Sequence, residues 1–305
     1  MATGDRHSAE TAGSRYLEHL SDADLDLLAG LHGGGPDALA ELRSNPASLE
    51  GLLAHPGAFH AVFGEPDRDE PFLRASPFLV FALAVHRCAA ELREAVSVSE
   101  WLGPRQRVAV LDVGELRSFL ADPGRRLFLA ELLTSYTHVT SGSVLVQTRR
   151  GWRRQRFSEL DPLRLASLLE VVPEPERVGV YRRLGDLALF LTGVFPDHTA
   201  TRALGSVAEA RLRRTAGLGS GEQRSRAGTG AGAGPISLSG TVALLEALGR
   251  RWYRLAASTA PLPTPALSVV GDVAERFDQA RRILNLVTER HLFPFRDRWM
   301  TSPGF

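Results

Sequence analysis

The chain has 305 residues, 44% hydrophobic and 23% charged, with a formal net charge of +1. That length and apolar content exclude a wholly disordered chain and can bury the core of one large domain or two ordinary ones. The near-neutral balance argues against a dedicated nucleic-acid binder, whose domain is usually strongly basic.

The first 70 residues hold 13 Asp and Glu against 4 Arg, a net of −9, so the other 235 carry +10. Residues 1–13 lack the apolar core of a secretory signal and read as a disordered tail. Ser21 and Asp24 are spaced as a capping box with Asp in the place of Glu, and Leu25, Leu28 and Leu31 give the following helix a narrow apolar edge. Short helices follow, broken at Asn45-Pro46 and His55-Pro56. Ser76 as N-cap and Pro77 at the first helical position open a longer helix, apolar almost all round from Phe78 to Val85, which predicts a buried central helix. Pro77 to Val85 is also the longest apolar run, well short of the about eighteen residues that a membrane helix needs. Val108 to Val113 is weakly β-like, and helical spacing returns from Pro123 to Tyr136.

The clearest β signal is Val144 to Thr148 and Trp152 to Phe157 around Arg149-Arg150-Gly151, a hairpin over about 143–157. Asp161 and Pro162 then cap a helix, and another begins near Pro175, carries Val180, Leu184, Leu187, Leu191 and Val194, and ends at Pro196. A basic helix is expected from about Thr199 to Thr215, then a flexible Gly-rich linker over 217–235. Two long helices follow. The first presents Val242, Leu245, Leu248, Trp252 and Leu255; the second carries a seam of Val270, Val273, Phe277, Ala280, Leu284, Val287 and His291. The expected fold is therefore mainly α: a multi-helix bundle over 14–216 with one basic β-hairpin inserted, and a C-terminal antiparallel helical hairpin over 236–301 that packs on the main body or on a second copy.

Two compositional absences narrow the chemistry. All 36 basic residues are arginine. A P-loop, a protein kinase site and Schiff-base or pyridoxal phosphate chemistry each require a lysine, so this chain cannot build them alone. Cys88 is the one cysteine, which excludes an intrachain disulfide, a CxxC pair and a cysteine-rich metal site; it reads as a small buried apolar residue. No HExxH, no paired Glu-x-x-His and no GxSxG elbow occurs, so no metal, cofactor or catalytic residue is assigned, and the chain reads as cytoplasmic. Asp186, with Arg182 and Arg183 before it and Gly185 and Gly193 beside it, reads as an ion pair at a close helix contact, and His86 as a hydrogen-bonded core histidine.

The candidate binding residues are Arg149, Arg150, Trp152, Arg153, Arg154 and Arg156, with no acidic residue between Val144 and Ser158. Alternation along a strand places Trp152, Arg154 and Arg156 on one face and Arg153 on the other. Such a hairpin suits an acidic protein surface, a second copy of the chain or a phosphate backbone, and Arg211, Arg213 and Arg214 are candidates to extend it. The plainer reading is a solvated hairpin whose arginines pair with the acidic N-terminal region. Interaction or scaffolding is thus the first functional expectation, nucleic-acid binding the second, and an enzyme of unrecognised class the third.

Overall fold

Ser76 accepts a hydrogen bond from the Leu79 amide at 3.2 Å, Pro77 takes the first helical position, and the Pro77–Glu94 helix runs from there. Phe78 to His86, Cys88, Ala89 and Leu92 are all buried along it, so it is the expected central helix. The computed structural model describes residues 12–31, 36–64, 74–148, 151–202, 204–218 and 240–295, with 36, 144–148, 151–153 and 155–156 described as backbone. These form two compact units. One gathers residues up to Val98, Val110–Thr137 and Leu286 onward; the other gathers Ser99–Ala109 and His138–Asn285. The fold is mainly α, with two separate two-stranded sheets among the described residues.

In the first unit the helices Ser48–Ala54, Pro56–Phe63, Val113–Ala121 and Pro123–Ser135 pack on the central helix. The Ser21–Asp24 capping box forms as its spacing predicts: Asp24 Oδ2 accepts from the Ser21 amide and hydroxyl, both at 2.8 Å. Its other oxygen accepts from the Ser76 amide at 2.7 Å, so one fully buried carboxylate closes two helix starts. Arginines close helix ends in the same way. Arg117 donates to the Leu92 and Ala95 carbonyls, Arg125 to Ser118 and Phe119, and Arg126 to Leu120 and Ala121.

The second unit is built on the Arg177–Val194 and Gly240–Thr259 helices, with Pro265–Glu275 packed on the latter. Three ion pairs set the antiparallel register of the last two legs: Glu246 with Arg281 at 3.1 Å, Arg250 with Asp278 at 3.1 Å and Arg254 with Glu275 at 2.8 Å. Every seam residue from Val270 to His291 is buried. The seam is not one straight helix, because Arg276 leaves helical geometry (φ −116°, ψ 32°) between Pro265–Glu275 and Phe277–Val287, and residues from Leu286 count with the first unit. The expected basic helix is also split, into Pro196–Thr201 and Ser206–Thr215.

A hairpin that the sequence pattern did not announce joins β1 (Val98–Gly103) to β2 (Gln106–Val110). Its turn is Pro104-Arg105, with Arg105 at φ +59°, a left-handed conformation normally given to glycine. Trp101 Nε1 donates to Asp197 at 2.5 Å, and the Arg105 amide reaches the same carboxylate oxygen at 3.4 Å.

The paired helices of the second unit touch at glycines. A Cβ on Gly249 would lie 2.5 Å from the Phe277 ring and 2.9 Å from Ala188 Cβ; one on Gly185 would lie 2.4 Å from the Tyr253 ring. Gly249→Ala therefore overpacks the core and lowers unfolding free energy by about 1–3 kcal/mol. At Gly271 the added methyl meets only Ala257 Cβ at 3.6 Å. Gly271→Ala instead stabilises by about 0.4–1 kcal/mol through the unfolded chain. Urea midpoints at unchanged slope check both signs.

Candidate functional site

The basic hairpin forms between β3 (Ser141–Thr148) and β4 (Gly151–Ser158), paired antiparallel from Ser141 with Ser158 to Thr148 with Gly151. Pairing begins two residues before the expected start and ends one beyond the expected finish. Eight residues at about 3.4 Å each make a ribbon about 27 Å long. Among the described residues its sheet has two strands, so no further strand pairs with the outer edge of either. The base is anchored: Glu159 accepts from the Thr140 amide at 3.1 Å and pairs with Arg183 at 3.0 Å, and β4 packs on the short Pro162–Ala166 helix that Asp161 caps.

Of the predicted binding residues, Arg154 is exposed and its Nε donates to the Ser143 hydroxyl at 2.5 Å, with no carboxylate partner among the described residues. Trp152, Arg153 and Arg156 take register positions opposite Gln147, Val146 and Ser143. Arg149 and Arg150 lie outside the described residues. The proposed basic extension does not hold as a free patch. Arg211 pairs with Glu170 at 3.0 Å and Arg213 with Glu209 at 2.7 Å, so two of its three charges are already matched.

The other sequence candidates resolve as structural groups. Tyr253 donates to Asp186 Oδ1 at 2.9 Å while Arg182 sits 3.9 Å from Oδ2; Arg183 turns instead to Glu159. The buried carboxylate thus joins the two helices that meet at Gly185, which is packing rather than base chemistry. Burial pushes the Cys88 thiol up to about 12, far from a reactive thiolate. Glu131 is held by Arg15 and His19. Among the described residues no three His, Cys, Asp or Glu side chains gather in a way that would hold a metal.

One polar constellation has no counterpart in the sequence reading. In the first unit, a cavity of about 240 Å³ is lined by Glu50, His86, Arg93 and Arg126, with Gly51, Ala54, Ala89 and Ala90 as small walls. Arg126 pairs with Glu50 Oε2 at 3.0 Å through Nη2 and donates from Nη1 to the Leu120 and Ala121 carbonyls. Glu50 Oε1 and Arg126 Nε are buried with no hydrogen-bond partner among the described residues. Burial raises the Glu50 carboxyl above its ordinary value, with Arg126 opposing that rise. Arg93 is exposed and makes no ion pair or hydrogen bond among the described residues.

Behind the cavity, the Tyr16 hydroxyl and His86 Nε2 are 3.0 Å apart, both residues buried. Burial pushes the Tyr16 hydroxyl far above its usual value, so it stays protonated. A protonated hydroxyl both donates and accepts, so this contact suits either tautomer of the neutral imidazole. These residues come from four helices, His86 and Arg93 sharing one, and none lies in a local motif that could have marked it. Comparison of the chain with family models, curated proteins and solved structures finds no match.

Desolvation, helped by Arg126 and Arg93, pushes the His86 pKa from 6.5 down to about 3. Between those values the unfolded chain binds a proton that the folded chain refuses, so stability falls as pH falls through that window. Gln at this position accepts from Tyr16 without titrating. His86→Gln is expected to lose less stability than wild type between about pH 7 and about pH 5 in paired urea titrations. Equal losses in the two proteins would remove His86 as the titrating group.

Proposed function

We propose that the chain is a non-catalytic cytoplasmic interaction protein that holds an acidic partner surface with its β3–β4 ribbon, the helical faces serving as scaffold. The observation that carries this reading is the ribbon itself: long, anchored at its base, with no further strand on either edge among the described residues, and with an exposed Arg154 that donates to a serine hydroxyl. Arginine suits this role because its planar fork meets carboxylates in a bidentate manner. An open strand edge adds a second mode, since an extended acidic segment can pair along it by main-chain hydrogen bonds. The near-zero net charge favours a protein partner over a nucleic acid. Nucleic-acid binding is kept as the second reading on one feature, Trp152 set among arginines in β4, since an indole offers a stacking surface to bases.

Fluorescence anisotropy with a labelled poly-glutamate peptide, and with single- and double-stranded DNA and RNA, at low and high salt, tests both. Wild type is compared with the Arg149→Ala, Arg150→Ala, Arg153→Ala, Arg154→Ala quadruple variant, its fold checked by circular dichroism. Peptide binding that weakens with salt and is lost in the variant is the expected result. Nucleic-acid binding with a steep salt slope and no peptide binding moves the second reading to first place. Failure of every probe at low salt sinks the ribbon as a charge-driven interface.

A further inference from the structure

The β1–β2 hairpin has a tip whose backbone conformation runs against its sequence. Arg105 has φ +59°, and among the described residues it is the one residue other than glycine with a positive φ. For a residue with a side chain that conformation crowds Cβ against the backbone and costs free energy, whereas glycine enters it freely and asparagine more readily than most. The turn needs a left-handed residue at this point; it does not need an arginine. Gly103 stands two residues earlier, where φ is not positive and a Cβ would meet only Gln106 Oε1 at 3.6 Å. The chain thus has glycine where the backbone requires none and arginine where glycine fits best. Side chains kept in costly conformations concentrate at sites of recognition and catalysis, where the surrounding fold holds them.

Here the fold holds the tip from below. Asp197, in the Pro196–Thr201 helix, accepts from Trp101 Nε1 at 2.5 Å and from the Arg105 amide at 3.4 Å on the same oxygen. Trp101 is buried, and its neighbour Glu100 pairs with Arg282. Pro104 fixes its own φ immediately before the strained residue. Beyond these anchors Pro104, Arg105, Gln106 and Arg107 are all exposed, two arginines among them and no acidic residue. A tip held in one conformation loses little backbone freedom when a partner docks. The hairpin tip and its anchors belong to the second unit, which also carries the β3–β4 ribbon. We propose that Arg105 is a recognition residue at a second basic tip, where its guanidinium takes a carboxylate of the same acidic partner that the ribbon holds. The planar fork suits that pairing, and the pinned backbone fixes where the fork starts from. This rests on the reading of the chain as a protein that binds an acidic surface, and it extends that surface beyond the ribbon.

Fluorescence anisotropy of the labelled poly-glutamate peptide with the full chain at low salt, run beside melting temperatures, tests this. Arg105→Gly and Arg105→Asn each relieve the backbone conformation and remove the charge. Both are expected to raise the melting temperature by about 2 °C while weakening peptide binding about three- to fivefold. Gained stability with lost binding is the signature of a side chain kept for recognition, since a purely structural residue moves neither in that combination. Arg202→Asn removes one charge from another exposed position of the same unit and is expected to leave binding nearly unchanged. Equal weakening in Arg202→Asn and Arg105→Asn overturns the tip in favour of net charge alone. An unchanged or lower melting temperature in Arg105→Gly removes the conformational cost and overturns the inference too. Peptide binding that is lost in the ribbon quadruple variant but kept in both Arg105 variants sinks this inference and leaves the ribbon standing. No peptide binding by wild type sinks it together with the reading it rests on.

Discussion

The buried Asp24 carboxylate holds the first unit in register. Its two oxygens take amides from Ser21 and Ser76 and so fix the start of the Asp22–Gly30 helix against the start of the central helix. At the far end Arg117 takes the Leu92 and Ala95 carbonyls. Along a helix buried over most of its length, free end amides and carbonyls are met by other parts of the chain as well as by water. The axial position of the central helix, and with it the placement of His86 and Arg93 at the cavity, follows from those contacts at its two ends.

Arginine as the sole basic residue shapes how this is achieved. Arg125 and Arg126 are adjacent in sequence, both are buried, and together they occupy four consecutive carbonyls from Ser118 to Ala121. A guanidinium distributes five donors over a rigid plane and is less strongly hydrated than an ammonium, so it can serve several carbonyls after leaving water. With three of its five donors committed to carbonyls and to Glu50, the Arg126 guanidinium becomes a fixed feature of the cavity wall. Structural capping and a polar cavity thus share one side chain.

Local features were legible in the sequence. Ser76-Pro77, Ser21 with Asp24 and Asp161-Pro162 announced helix starts because capping acts within one turn, and the Val270 to His291 seam announced its buried face by period alone. The β3–β4 hairpin was legible through its β-prone flanks and Gly151. The β1–β2 hairpin was not, since Arg105 holds a turn position where glycine is the usual signal, and Trp101 is locked by a carboxylate far along the chain. Glu50, Arg93 and Arg126 were illegible for the same reason: each looks like an ordinary surface charge until three helices bring them around His86. Arg211 and Arg213 erred in the other direction, appearing as a free basic cluster while Glu170 and Glu209 already neutralised them.

The interleaved chain path has a consequence for biosynthesis. Phe59 packs edge-on against His291, Phe63 against Phe295, and Glu91 meets Arg290 and His291, so the first unit draws part of its core from residues made long after its own helices. As the polypeptide leaves the ribosome, the helices up to Val98 and from Val110 to Thr137 emerge with that aromatic surface uncovered. The whole second unit must be synthesised before the covering segment arrives. Such long loop closure slows folding and prolongs exposure of apolar surface, which places this chain among those that gain from a holding chaperone during synthesis.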